Sequence, residues 1–401
     1  MLFCLLALAV YGGWFAGSRM AGKDWQSDET HYAYLADAFN HRRLDIDAVR
    51  APQLTEVIPY GGKNYVVYPP LPAVLLMPVA AVIGTGNWTA PASILFAACA
   101  VGLTYVMLRR FGFDIRVSSA GTVLFGFGTC FWYTALPGSS WYLAHVVAVL
   151  FLTGAATEAY GAQRPLLTGL LIGAATLSRL PVVLTTPFFL YAVWSRGGAR
   201  RVRRSAFLLL GIGAFIALNM LYNAARFDSV WSVGYWLIPG VLDSPWYAHG
   251  VFDVRYLPVN IFAVLFQPPL ILPSFPYFIP TKFGLSLFLA TPAFLLMFLA
   301  PADRRTLVLA TTVLLGMLPG LTHGWPGSSQ FGYRFSLDAS PFLILLTAHG
   351  MRGRVTARNA ALIALSVLAA IWGLLYAQMV FPKDWLYSAE RGQAPYEFIQ
   401  E

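Results

Sequence analysis

RGGARRVRRSAFLLLGIGAFIALNMLYNA, residues 196–224, joins a run of five arginines to an apolar stretch that carries no charge from Ala206 to Ala224. A helix needs about 20 apolar residues to cross a hydrocarbon core of about 30 Å. Arginines crowd on the cytoplasmic side of such a span and are drawn to anionic lipids there. Residues 206–224 therefore read as a transmembrane helix with Arg196, Arg200, Arg201, Arg203 and Arg204 as its inner anchor.

The remainder of the chain repeats the pattern. Of its 401 residues, 58% are hydrophobic and only 11% are charged, with a mean hydropathy of +0.62. A soluble domain carries about 25% charge, so the sequence describes an all-α polytopic membrane protein. Further spans are expected near residues 1–17, 88–108, 117–134, 143–160, 166–178, 181–194, 283–300, 307–322, 336–349 and 360–380, about eleven in all. The segments do not alternate as barrel strands do. The opening run lacks a basic n-region and reads as a first span, not a cleaved signal.

Alternating spans put Arg109, Arg110, Arg116, Arg164, the five-arginine run, Arg304, Arg305, Arg352, Arg354 and Arg358 on one side, which is then cytoplasmic. The net charge of +9 is thus a sign of topology, and no nucleic-acid partner is expected. The expectation is a multi-pass plasma (inner) membrane protein with its N-terminus inside. Its C-terminus, with Asp384, Glu390, Glu397 and Glu401, is expected outside. No internal repeat or soluble domain is visible, so 1–401 reads as a single membrane domain without a soluble C-terminal domain.

Two long connections face outside, residues 18–70 and roughly 225–282. Leu71–Gly84 is too short to cross and reads as an interfacial or re-entrant helix. Six prolines between Pro258 and Pro280 argue against regular helix there and suit either a groove wall or a surface loop. Cys4, Cys99 and Cys130 sit in apolar runs as small buried hydrophobes.

The outer connections hold the polar clusters. In Ser27-Asp28-Glu29-Thr30-His31-Tyr32, Ser27 can cap a helix whose Tyr32, Leu35 and Phe39 recur at helical spacing. That places Asp28 on the inward face, as a general base or as a partner of the helix dipole. Gly61-Gly62 is a turn, and Lys63 beyond it can meet a phosphate or stay solvated. Arg334 stands at the mouth of a span, either snorkelling or binding phosphate. Asp338, one turn on, can answer it as an i, i+4 ion pair. Arg179, between two short spans, is a second candidate for an anion. Asn219, Tyr222, Asn223 and Arg226 form a polar ridge suited to interhelical hydrogen bonds. Asp45-Ile46-Asp47 and the glycosylation-like Asn87-Trp88-Thr89 carry no function in this reading. No motif calls for a cofactor, and a divalent metal has no ligand pattern behind it.

Taken together, Asp28-Glu29 after the first span, Gly62-Lys63-x-Tyr65 with Tyr68-Pro69-Pro70-Leu71, and the late Gly324-Trp325 through Phe331-Gly332-Tyr333-Arg334-Phe335 resemble the GT-C superfamily of membrane glycosyltransferases. The resemblance is to its protein mannosyltransferase and aminoarabinose transferase branch. It implies a donor sugar on a polyprenyl phosphate, an unidentified glycan, lipid or protein acceptor, and transfer on the extracytoplasmic face with inversion. It assigns Asp28 as the catalytic acid with Glu29 its neighbour, and Lys63 and Arg334 as phosphate-binding residues, joined on chemical grounds by Arg179. Tyr32, Tyr65, Tyr68, His323, Tyr333 and Asp338 would line the groove. Tyr68 stands where the pattern has a lysine before the prolines. A lipid-linked-sugar flippase and a non-catalytic scaffold are the competing readings.

Overall fold

The computed structural model describes residues 1–22, 27–47, 54–231, 234–273, 277–281, 283–327 and 330–378. The four C-terminal acids expected outside lie beyond them. In chain order the helices are α1 Leu2–Met20, α2 His31–Asn40, α3 Leu71–Ile83, α4 Thr89–Arg110, α5 Ile115–Phe127, α6 Cys130–Ala135, α7 Ser140–Tyr160, α8 Pro165–Thr176, α9 Thr186–Arg196 and α10 Arg201–Phe227. They continue as α11 Leu257–Leu265, α12 Leu287–Ala290, α13 Arg304–Thr322, α14 Ser340–Gly350 and α15 Ala357–Gln378. Two small antiparallel hairpins complete the described chain: β1 Val57–Tyr60 with β2 Lys63–Val66, and β3 Leu270–Ile271 with β4 Phe278–Ile279.

Among the described residues, six helical stretches are long and apolar enough to cross a membrane: α1, α4, α7, Gly198–Phe227, α13 and Ala357–Tyr376. Of the other expected spans, 166–178 is the short continuous helix α8, and the remaining four are divided between helical pieces. Residues 117–134 divide into α5 and α6 at Gly128-Thr129, where Thr129 turns extended and its hydroxyl accepts from the Phe131 N–H as N-cap. A 3₁₀ helix, Pro292–Leu299, follows α12. Others precede α9 (Leu180–Thr185) and α14 (Arg334–Ala339). Pro187 and Pro341 sit in the first turns of α9 and α14, where a missing N–H costs nothing. Asp114 and Asp303, acids on the arginine-rich side, cap α5 and α13 through the Val117 and Thr306 N–H groups.

The proline-rich outer segment departs from expectation at its start. α11 forms because Pro258 lies in the first turn, and the next proline, Pro268, comes after the helix has ended. α3 is a helix of 13 residues, only about 20 Å long at 1.5 Å per residue.

Small residues set the closest packing. A Cβ at Gly169 of α8 would lie 2.1 Å from the Leu208 carbonyl oxygen of α10, and one at Gly211 would lie 2.7 Å from that of Leu166. Gly173, one GxxxG step on, meets the Phe215 ring, so α8 and α10 approach backbone to backbone as small-residue helix pairs do in lipid. A separate apolar cluster pins the first outer connection to the bundle. Tyr32, Leu35, Ile58, Val66, Leu71 and Leu76 pack with Leu143, Val147 and Leu177. The connection is thereby a fixed lid element over the ends of α7 and α8.

Candidate active site

That lid, the start of α7, the end of α8, the C-terminal end of α13 and the 3₁₀ turn before α14 enclose a cavity of about 970 Å³. Tyr32, Glu56, Tyr68, Trp141, Tyr142, Arg179, Tyr235, Tyr247, His323 and Arg334 are among its lining residues. It is thus aromatic, with two guanidinium groups and one carboxylate.

Arg179 follows Ser178, whose hydroxyl donates to the Ala174 carbonyl as α8 ends. Its Nε and Nη2 each donate to Asp338 at 2.8 Å, a bidentate pair. His145 Nδ1 stands 3.1 Å from the same Oδ1. Asp338 is therefore claimed by α7 and α8, and the expected Arg334 to Asp338 pair does not form. The physical reason is the 3₁₀ geometry of 334–339: at three residues per turn, i and i+3 eclipse, so position i+4 points elsewhere. Arg334 instead lies 5.4 Å from the Tyr142 ring centroid and 5.2 Å from that of Phe335, and hydrogen-bonds the Tyr142 hydroxyl. Its side chain is among those that line the cavity.

The opposite wall is set by the Asp28-Glu29 segment, in a manner the helical spacing did not suggest. α2 begins only at His31, so Asp28 is not on its face. Residues 27–30 run outside the helix and are stitched to the start of α7: Ser27 N–H donates to the Pro137 carbonyl and Ser140 N–H to that of Glu29. Ser27 Oγ accepts from the Glu29 N–H instead of capping α2. Asp28 is exposed and accepts from Asn87 Nδ2, next in chain to Ser27, which does line the cavity. Glu29 turns away and binds Thr55, accepting its N–H at 3.0 Å and its hydroxyl at 2.9 Å. The His31 ring bridges the Thr55 carbonyl and Ser140 Oγ, and burial lowers its pKa.

Fixing Thr55 aims the next residue. Glu56 has a φ of 53°, a left-handed value that costs a non-glycine residue about 1–3 kcal/mol and persists only where surroundings hold it. Tyr68 OH and Trp141 Nε1 both donate to Glu56 Oε2, and Glu56 is one of the residues that line the cavity. Burial, then the nearby Glu56 charge, pushes the Tyr68, Tyr235 and Tyr247 hydroxyls to higher pKa, so they act as neutral donors. His323 is pushed down to about 4, chiefly by burial and further by Arg179 and Arg334; it is neutral at pH 7, and its Nδ1 faces the Trp325 backbone.

Of the residues singled out in the sequence, Arg179, Arg334, His323, Tyr32 and Tyr68 meet at this cavity. Lys63 does not line it. The Gly61-Gly62 turn, with both φ positive, closes the β1–β2 hairpin. Lys63 then starts β2 as an exposed side chain 3.8 Å from Asp45. Tyr65 packs against Phe227, and Tyr333 and Asp338 are buried behind the wall. Arg226 serves the lid: its guanidinium donates to the Val66 carbonyl and to Asn223 Oδ1 and covers the Tyr222 ring at 3.6 Å. Among the described residues no group of three or more His, Cys, Asp or Glu side chains is arranged to hold a metal ion. Glu56, Trp141, Tyr142 and His145 escaped the sequence reading; Glu56 stands in no motif and reaches the cavity only through Thr55.

No known protein family matches the chain by sequence, and no curated protein does. The fold is shared with ArnT from Cupriavidus metallidurans bound to undecaprenyl phosphate, at a TM-score of 0.53 and 15% identity over 94% of this chain and 64% of that one. The apo state of ArnT gives a TM-score of 0.51 at 15% identity, over 90% and 60% of the two chains. The chain thus spans less than two thirds of the length of ArnT. At this identity the likeness is one of fold.

Proposed function

We propose that the chain transfers a sugar from a polyprenyl-phosphate donor to a hydroxyl or amine acceptor in this cavity, on the extracytoplasmic face. The observation that carries the reading is one aromatic chamber lined by two guanidinium groups, Arg334 and Arg179, and by the Glu56 carboxylate, with Asp28 next in chain to its lining residue Ser27. Support comes from the shared fold with ArnT, whose structure holds undecaprenyl phosphate.

Displacing a phosphate from an anomeric carbon needs its growing charge held and the nucleophile's proton removed. Arg334 meets the leaving phosphate, and preorganised cations in a dry cavity act strongly there. Arg179, already neutralised by Asp338, contributes its remaining donors and rigidity. Asp28 at the rim takes the acceptor proton, a general-base contribution of about 10² to 10⁴-fold, and a single displacement inverts the anomeric centre. A second assignment within the same reading makes Glu56 the base, favoured because Glu56 itself lines the cavity whereas Asp28 does not.

The topology proposed with it has eleven crossings, the broken helices included, in a plasma (inner) membrane with the N-terminus inside. α7 and α13 support it: each runs from the cavity to the arginine-rich end of the bundle.

The test is sugar transfer by purified protein from lipid-linked donors, with Asp28→Asn and Glu56→Gln assayed in parallel. Loss of turnover in the first alone assigns Asp28, and in the second alone Glu56. Turnover unchanged in both, with each variant folded, defeats the acid–base scheme. Lipid-linked sugar crossing vesicles with no glycosidic product would make the protein a flippase, and neither activity would leave a scaffold.

A further inference from the structure

At the other end of α7 and α13 lies a second, smaller pocket of about 170 Å³, lined by Phe111, Tyr160, Phe188, Tyr191, Ser195, Arg196, Arg305, Val308 and Leu309. Tyr142 in the large cavity and Tyr160 in this one are eighteen residues apart on one helix, about 27 Å at 1.5 Å per residue. The two sites thus stand a membrane thickness apart.

Two guanidinium groups converge here without a carboxylate. Arg196 Cζ lies 3.8 Å over the Tyr160 ring and makes no hydrogen bond or ion pair among the described residues. Arg305 donates Nη2 to the Phe111 carbonyl at 3.1 Å, which orients the head and leaves its other donors. Phe111 and Tyr160 stack at 3.6 Å in the wall of the same pocket. Like charges gathered in a small pocket repel unless an anion joins them, and guanidinium suits a phosphate by its fork of donors. Ser195 and Tyr191 add hydroxyls at the same wall.

The surroundings favour a lipid as the source of that phosphate. Leu307, Trp194 and Tyr191 beside the pocket are exposed large apolar side chains, a surface fit for acyl chains and for a bilayer interface. We propose that this is a binding site for the phosphate headgroup of an anionic phospholipid, held between Arg196 and Arg305 on the face opposite the proposed transfer site. Basic pockets between transmembrane helices take such headgroups, and the ligand here fixes the ends of α7, α9 and α13 together.

The experiment is native mass spectrometry of delipidated full-length protein titrated with phosphatidylglycerol, phosphatidylcholine or inorganic phosphate. One phosphatidylglycerol is expected to bind about tenfold more tightly than phosphatidylcholine, a difference of about 1.4 kcal/mol. The pair Arg196→Gln with Arg305→Gln is expected to lose that preference. Arg196→Lys with Arg305→Lys keeps the charge at both places, guards against misfolding and is expected to retain most of it. Arg200→Gln with Arg203→Gln, outside the pocket, is expected to stay within twofold of the parent. Equal binding of the two lipids, an unchanged glutamine pair, or an equal loss from the outside pair would each overturn the site. Saturation by inorganic phosphate that displaces no lipid would overturn the lipid as its ligand.

Discussion

Arg179 grips both carboxylate oxygens of Asp338 at 2.8 Å across 159 residues of chain, and His145 closes on the same acid from a third helix. This triad ties the ends of α7 and α8 to the turn before α14, where Arg334 stands. The position of Arg334, and with it the phosphate binding proposed for that residue, therefore rests on an acid it is not paired with.

Removing that acid is expected to destabilise the protein strongly. Asp338→Ala leaves Arg179 without its buried counter-charge, a class of change that costs about 3–5 kcal/mol. A fall in melting temperature in detergent checks it, and an unchanged melting point would mean the triad holds nothing together.

Arg334 is expected to act on donor affinity. Arg334→Gln removes a charge-assisted hydrogen bond worth about 1.5–3 kcal/mol, so KM for the lipid-linked donor should rise about ten- to a hundredfold. Arg334→Lys, a point charge without the planar fork, should fall between. Steady-state kinetics against donor concentration reads both.

Glu29 should matter through Thr55. Glu29→Ala deletes two of the hydrogen bonds that fix residues 54–56, those from the Thr55 N–H and hydroxyl, and loosens the left-handed backbone of Glu56. If Glu56 serves the reaction, kcat should fall about tenfold with KM for donor changed less than twofold, and a Thr55→Val exchange should reproduce part of the loss.

His323 gives a pH signature. Its folded pKa of about 4 lies below the ordinary 6.5, so the unfolded chain binds the proton more readily. Its contribution to stability is complete above pH 6.5 and is lost as pH falls toward and through 4. His323→Gln should flatten the melting-temperature profile in that window. Parallel profiles for the two proteins would deny the shift.

Packing between α8 and α10 should tolerate no side chain. Gly169→Val places carbon within 2.1 Å of a backbone oxygen and must part the helices, so loss of folded protein on size-exclusion chromatography is expected. Gly213→Ala, with open space at its Cβ, should be neutral.

Much of the fold was legible because a span announces itself locally. Apolar length, proline position and the arginines at one end are properties of neighbouring residues, and six of the apolar runs expected to cross are helices long enough to do so among the described residues. The Gly61-Gly62 turn was equally local. Spacing failed where the backbone left α geometry: 334–339 is 3₁₀, so Asp338 does not face Arg334, and α2 starts too late to carry Asp28.

What the sequence by itself determined is a helical membrane chain whose short connecting loops gather arginines, since burial in lipid is dictated residue by residue. Only the tertiary structure decided which charges meet. Arg179 finds Asp338, Glu29 finds Thr55, and Glu56 enters the cavity through contacts spanning tens to hundreds of residues. An ion pair in a low-dielectric interior forms wherever packing brings its partners together, and no periodicity along the chain records that meeting.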